Sequence, residues 1–207
     1  PEALSHRMRL VNLYTAADRT DDAIAVLEQA VADLSDQQEP KLAHIKYVAQ
    51  RKGLPEAEAL LKDYIAQEDE NFDLRFALGQ LYEEQENFDQ ADVIYDEIQA
   101  ESAGPEAPAH MKASVRKALV AIRRADLDAA MGHVNAVLEV NPRDNQALIL
   151  RGSMLADAGD PVAAIADFRA ALRDNATNAR VLELLANAHM KNAEPELARD
   201  NILKAVD

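Results

Sequence analysis

Residues 111–124, MKASVRKALVAIRR, hold five cations and no acid in a 207-residue chain of net charge −15. Lys112, Arg116 and Arg123 are spaced by four and then seven residues, which brings them to one face of a helix. Val115, Leu119 and Ile122 stand beside them. A stripe that is both basic and apolar suits a peptide with an acidic end. Internal balance accounts for the same charges at least as well, with Glu83 and Glu84 as the opposing carboxylates.

The remaining reactive side chains form no recognisable catalytic set. There is no nucleophile elbow, P-loop, dinucleotide fingerprint or HExxH helix. The chain has no cysteine, which excludes disulfides and thiolate metal sites. His6, His44, His110, His133 and His189 are scattered, whereas a metal needs several converging ligands. The run QEDENFD, residues 67–73, is acidic enough for calcium but lacks the alternating ligands and turn glycine of a calcium loop. Asp21, Asp22, Glu56, Asp89, Asp128, Asp160 and Glu196 precede apolar helical stripes, where a carboxylate complements the helix dipole. The expectation is a protein with no catalytic residue, no metal site and no cofactor.

Composition points the same way. Aromatics make up 4% of the chain, and Ala, Leu, Glu, Gln and Arg are plentiful, a mixture that favours helix. No apolar run reaches the ~18 residues of a membrane span, so direct membrane insertion is not expected. The acidic balance repels phosphate backbones and disfavours nucleic acid. A protein or peptide is the expected partner. The chain begins at Pro1 and not at Met, which is expected of a product processed or cut from a longer protein.

The helices that position these residues repeat. The segment ALILRGSMLADAGDPVAAIADFRAAL, residues 147–172, reads as two helices around a Gly-Asp-Pro turn. Residues 76–98, FALGQLYEEQENFDQADVIYDEI, are a looser copy. The marker alanines Ala23, Ala57, Ala91, Ala130, Ala164 and Ala198 follow at intervals of 34, 34, 39, 34 and 34 residues. Val11, Ile45, Gly79, Ala118, Gly152 and Ala186 precede them, and Ala30, Tyr64, Ile98, Val137, Ala171 and Ala205 follow on the same face. Gly152 is expected to approach the second helix closely near Ala164 and Ala171. His189 takes the position of Tyr82 and Leu155 and is expected in the core or at an interface.

A period of this length with small residues at helix contacts resembles the tetratricopeptide repeat. The matching residues are Gly152, Leu155, Ala164, Phe168 and Ala171 in one copy and Gly79, Tyr82, Ala91 and Tyr95 in another, with Pro142 after a second helix. Ile45 and Tyr64 are bulkier than the pattern, and Arg7, Lys41 and Arg75 replace its large apolar residue early in the first helix. The resemblance implies an all-α fold, a right-handed α-solenoid of about six helix–turn–helix repeats. The copies are 4–37, 38–71, 72–105, 111–144, 145–178 and 179–207, forming one solenoid over 1–207. Residues 101–110 contain the insertion. They read either as a hinge between two three-repeat halves or as a longer loop with the next helix starting early at Pro108; cheap loop insertion favours the loop. The sixth copy ends short of a full period without a capping helix. This is expected of a protein that continues on both sides, or of an end that pairs with another chain through Leu197, Ile202 and Val206.

The resemblance further implies a partner groove lined by first helices. Its candidate residues are Phe76, Gln80, Lys112, Val115, Arg116, Leu119, Arg123, Ile149, Ser153, Arg180 and Asn187. Some family members clamp a chaperone's terminal carboxylates with Lys and Asn in one repeat, Asn in the next, and Lys and Arg in a third. Lys112 and Arg116 fit the last part, but Leu42, Lys46 and Ala77 do not fit the others, so that ligand is not expected. The expected function is a non-enzymatic interaction scaffold docking a peptide or partner segment. The alternative is a structural spacer or self-associating segment of a larger assembly. The Ala- and Arg-rich style is similar to bacterial members that accompany exopolysaccharide synthesis and export, a resemblance that favours a periplasmic or envelope setting over the cytoplasm without fixing the compartment.

Overall fold

The structure is a computed structural model and describes residues 2–68 and 72–206. The end of the second copy at 71 and the middle of the QEDENFD run lie outside the described residues. Among the described residues there are twelve helices and no strand. They are α1 (Glu2–Ala16), α2 (Thr20–Asp33), α3 (Glu39–Arg51), α4 (Leu54–Gln67), α5 (Phe72–Glu84), α6 (Phe88–Glu101), α7 (Pro108–Arg123), α8 (Leu127–Val140), α9 (Asn145–Asp157), α10 (Pro161–Ala171), α11 (Ala179–Lys191) and α12 (Pro195–Val206). The second helix of each pair starts at the same intervals as the marker alanines: 34, 34, 39, 34 and 34 residues. All six markers are buried, because two helices cross there and only a methyl group fits. Residues 102–107 are irregular, and α7 begins at Pro108, making it 16 residues long against 13 for α9.

The turn inside each pair has a common geometry that composition conceals. The second residue after the first helix is left-handed at Asp18 (φ 57°), Glu86 (58°), Ala125 (60°), Gly159 (87°) and Ala193 (58°). The next N–H then reaches back into the helix: Arg19 to the Tyr14 carbonyl at 2.8 Å, Asn87 to Tyr82 at 2.8 Å, and Asp126 to Ala121, Asp160 to Leu155 and Glu194 to His189 at 2.9 Å. These bonds satisfy carbonyls that the helix end would otherwise leave open. Between α3 and α4 the left-handed residue is Gly53 (φ 114°).

By contact the chain divides into two compact units, residues 1–94 and 95–207. In the first, consecutive helices from α1 to α5 pack on one another. Val11, Ala23, Leu27 and Tyr47 form a core with Met8, Tyr14, Ile24, Val26 and Ala43 against it. The cations that depart from the repeat pattern have a structural use here. Arg7 pairs with Asp33 and Lys41 with Glu68, so each ties a first helix to the end of its partner helix. Gln38 donates to the same Glu68 at 3.2 Å. His44 is buried with its Nδ1 2.8 Å from the Tyr64 hydroxyl. Burial lowers the His44 pKa against a weaker opposing pull from Glu28, and it pushes the Tyr64 hydroxyl up to about 12. Both shifts favour the uncharged forms of this hydrogen-bonded pair at neutral pH.

In the second unit, consecutive helices from α7 to α12 pack pairwise and α9 also touches α11. The core runs through Val115, Val134, Val137, Leu148, Phe168, Val181 and Leu185. Side-chain caps are concentrated here. Asp126, Asp144, Asp160 and Asn178 accept from backbone N–H groups of Ala129, Ala147, Ala163 and Val181 at 3.0, 2.9, 3.0 and 3.3 Å. Asp126 is the cap of α8, and Asp128 lies in its first turn, where its carboxylate complements the helix dipole. Gly152 is held by a ring: a Cβ there would lie 2.8 Å from Phe168 Cε1. The close approach to the second helix is made through Phe168, which lies between Ala164 and Ala171 on α10. Arg151 grips Asp167 through two bonds of 2.8 Å, and its remaining arm reaches Asn135 Oδ1 at 3.3 Å, joining α8, α9 and α10. His189 is buried, with Nδ1 2.7 Å from Glu194 Oε2. Asn192, and after it His189, hold the Glu194 carboxyl below its usual range.

Candidate functional site

Each unit has an open cleft between two first helices. In the first unit α1 contributes Met8, Val11, Asn12 and Thr15, and α3 contributes Ala43, Lys46, Tyr47, Gln50 and Arg51, around about 550 Å³. Thr15 donates to the Val11 carbonyl at 2.7 Å and lies 2.8 Å from the Tyr47 hydroxyl, which fixes that ring on the cleft wall. In the second unit α9 contributes Ser153, Ala156 and Asp157, and α11 contributes Leu184, Asn187, Ala188, Met190 and Lys191, around about 350 Å³ with Phe168 also in the lining. Lys191 crosses this cleft to the Ala156 carbonyl at 2.8 Å and Asp157 at 3.1 Å. The second cleft therefore spends its own charge and offers mainly apolar surface. Second helices cover one side of each first helix through the buried alanines, and the opposite side is what remains to line a cleft.

The candidate residues separate on this geometry. Ser153 and Asn187 share the α9–α11 cleft. The Ser153 hydroxyl donates to the Ile149 carbonyl at 2.9 Å, and Ile149 packs against the core. Arg180 is exposed on α11, and Gln80 is exposed on α5. Phe76 and Val115 are only 2% and 5% exposed, so they fill core and offer a partner no contact area. On α7, Lys112 and Arg123 are exposed, and Arg116 and Leu119 are half-buried. Arg116 Nε donates to the Tyr95 hydroxyl at 3.4 Å, and its neighbour Lys117 pairs with Asp96. None of Lys112, Arg116 and Arg123 is without a partner.

Met8, Asn12, Thr15, Lys46, Tyr47, Gln50 and Arg51 were absent from the candidate set. The signal that finds them is the repeat register itself: carried back to the first two copies, the first-helix positions of Ser153 and Asn187 fall on Asn12 and Lys46. Among the described residues, no group of three or more His, Cys, Asp or Glu side chains could hold a metal ion. No described helix is long and apolar enough to cross a membrane.

Stacked helix pairs with small-residue crossings and open first-helix clefts define a helical-repeat protein. Family models described as tetratricopeptide repeat match residues 50–114 and 115–179, together well over half of the chain. The chain belongs to the tetratricopeptide repeat family, whose members generally mediate protein–protein interaction. No curated protein matches it in sequence. Similar solved structures include BtubC from P. vanneervenii, 14% identical with TM-score 0.72 over 95% of this chain and 89% of that one. Pseudomonas aeruginosa pilF is 17% identical, with TM-score 0.65 over 98% and 90%. YrrB, described as a TPR protein with an unusual peptide-binding site, is 16% identical, with TM-score 0.53 over 87% and 91%. At these identities the likeness is one of fold.

Proposed function

We propose that this chain is a non-enzymatic scaffold that docks a segment of a partner protein in the clefts between consecutive first helices. One observation carries the reading. Both clefts, in separate units, open between first helices at corresponding repeat positions. Volumes of about 550 and 350 Å³ accommodate a few side chains of an extended or helical segment. Panning a library of random peptides against the whole chain tests it. Selected peptides should lose binding to Gln50→Trp or Asn187→Trp, which fill the clefts, and keep it for Asp128→Trp on the exposed start of α8. Peptides that bind both cleft variants as tightly as the unaltered chain would refute it.

A second reading, a spacer or self-associating segment of a larger assembly, is supported by α12. It exposes Leu197, Ile202, Leu203 and Val206, and apolar side chains gathered on one surface helix suit contact with another chain. Sedimentation at rising concentration tests this reading; a strict monomer counts against it.

A further inference from the structure

We infer that α12 of one chain stacks on α1 of a second copy, joining chains head to tail in the register that joins consecutive repeats within the chain. The inference rests on the self-association reading above and adds which surfaces meet and how. Leu10 and Leu13 on α1, and Ile202 and Leu203 on α12, are exposed, Leu13 by 68% and Leu203 by 50%. Counterparts in other copies are covered. Four residues after the marker alanine, Leu27, Leu61, Tyr95, Val134 and Phe168 correspond to Ile202, and all are buried. Ten residues before it, Tyr47, Leu81, Val120 and Ala188 correspond to Leu13 and are buried too. Leu203 carries a second signal. Five residues after the marker, the other copies have Glu28, Lys62, Asp96, Asn135 and Arg169, so Leu203 is the apolar member of its set. The outer face of a repeat stack is normally polar, and α12 instead gains an apolar side chain there.

The joints inside the chain fix how the two faces meet. The second helix of one copy packs on the first helix of the next, α2 on α3, α4 on α5, α8 on α9 and α10 on α11. The residue five after one marker meets the residue thirteen before the next. Asp96 pairs with Lys117 in this way, Arg151 donates to Asn135 Oδ1 at 3.3 Å, and the Glu28 carboxylate acts on His44. The residue four after one marker shares a core with the residue ten before the next, as Leu27 does with Tyr47 and Phe168 with Ala188. Carried across to a second copy, this register sets Leu203 against Leu10 and Ile202 against Leu13. Each internal pair that corresponds to Leu203 and Leu10 contains a polar or charged residue, whereas this pair is wholly apolar. A second copy is the occupant because one chain carries both halves of the joint in matching register, and burying four large apolar side chains together is favourable. The two surfaces differ, so each chain added leaves one of either kind open until a ring closes.

Sedimentation velocity on the whole chain, at concentrations up to about 1 mM, tests this with two single variants. The unaltered chain should associate. Leu10→Lys and Leu203→Asp should each weaken association about tenfold or more, because a charge then faces a leucine. Mixed in equal amounts, the two should recover it. One joint in the mixture is again leucine on leucine, and the other repeats the Asp96 and Lys117 pair at the same two positions. The recovery should fade in part as salt is added. Melting temperatures check that each variant is folded; if a charged variant unfolds, Leu13→Gln and Ile202→Gln carry the same comparison, with one intact joint in their mixture. A strict monomer, undiminished association of either variant, or a mixture no better than its parts would each overturn the inference. Association that survives Leu10→Lys and is lost in Leu203→Asp means that α12 meets α12, which sinks head-to-tail joining and leaves self-association standing.

Discussion

Gly152→Ala offers a quantitative check on the repeat packing. The added methyl would sit 2.8, 3.0 and 3.1 Å from Cε1, Cδ1 and Cζ of Phe168, inside ordinary carbon contact. The ring is 1% exposed, so a shift away from the methyl disturbs its packing in the core. Overpacking of this kind costs about 1–3 kcal/mol. Against it, Ala gains about 1 kcal/mol over Gly in a helix interior. The net expectation is a loss of about 1 kcal/mol, a fall in melting temperature of roughly 2–4 °C for a chain of this size. The assay is thermal and urea unfolding followed by circular dichroism, repeated in a Phe168→Leu background. There the methyl has room, only the helix term survives, and Gly152→Ala should stabilise by about 0.5–1 kcal/mol. A rise in stability in the unaltered chain, or the same effect in both backgrounds, would refute the claim that Phe168 is what requires glycine.

Other outcomes follow from the same contacts. Ala125→Gly should stabilise by about 1 kcal/mol, because a Cβ is strained at φ 60° and glycine is not; equilibrium unfolding reads this directly. Asp160→Ala removes the bond to the Ala163 N–H and should destabilise by about 1 kcal/mol, with the fastest new hydrogen exchange in the first turn of α10. His44 bears on pH. Its pKa is lowered in the fold, so the unfolded chain binds the proton first. Its contribution to stability is complete above the ordinary histidine value near 6.5 and is lost as pH falls through the folded value. His44→Gln should flatten the pH dependence of the melting temperature on that acidic side; an unchanged slope would show that another group carries it.

How much of this was legible in the chain depends on the range of the interaction. The marker alanines from Ala23 to Ala198, the six helix pairs and the early start of α7 at Pro108 are periodic or local properties, and periodicity is written in sequence. What the exceptions do is not. Arg7 and Lys41 break the repeat pattern, and only the packed helices show Asp33 and Glu68 at the distance where a cation can replace an apolar contact. Ala125 and Ala193 carry no sign of a left-handed turn; the backbone bond to the preceding helix imposes it. Phe76 and Val115 share a face with solvent-facing neighbours in the repeat register, yet they are buried. The basic stretch on α7 drew attention by composition, but its cations are engaged, while Lys46 and Arg51, unremarkable in sequence, both line an open cleft and make no ion pair among the described residues. A sequence states which charges a chain has. Which of them are neutralised depends on groups brought close by folding, because a charge pair is made by distance in space and not by separation along the chain.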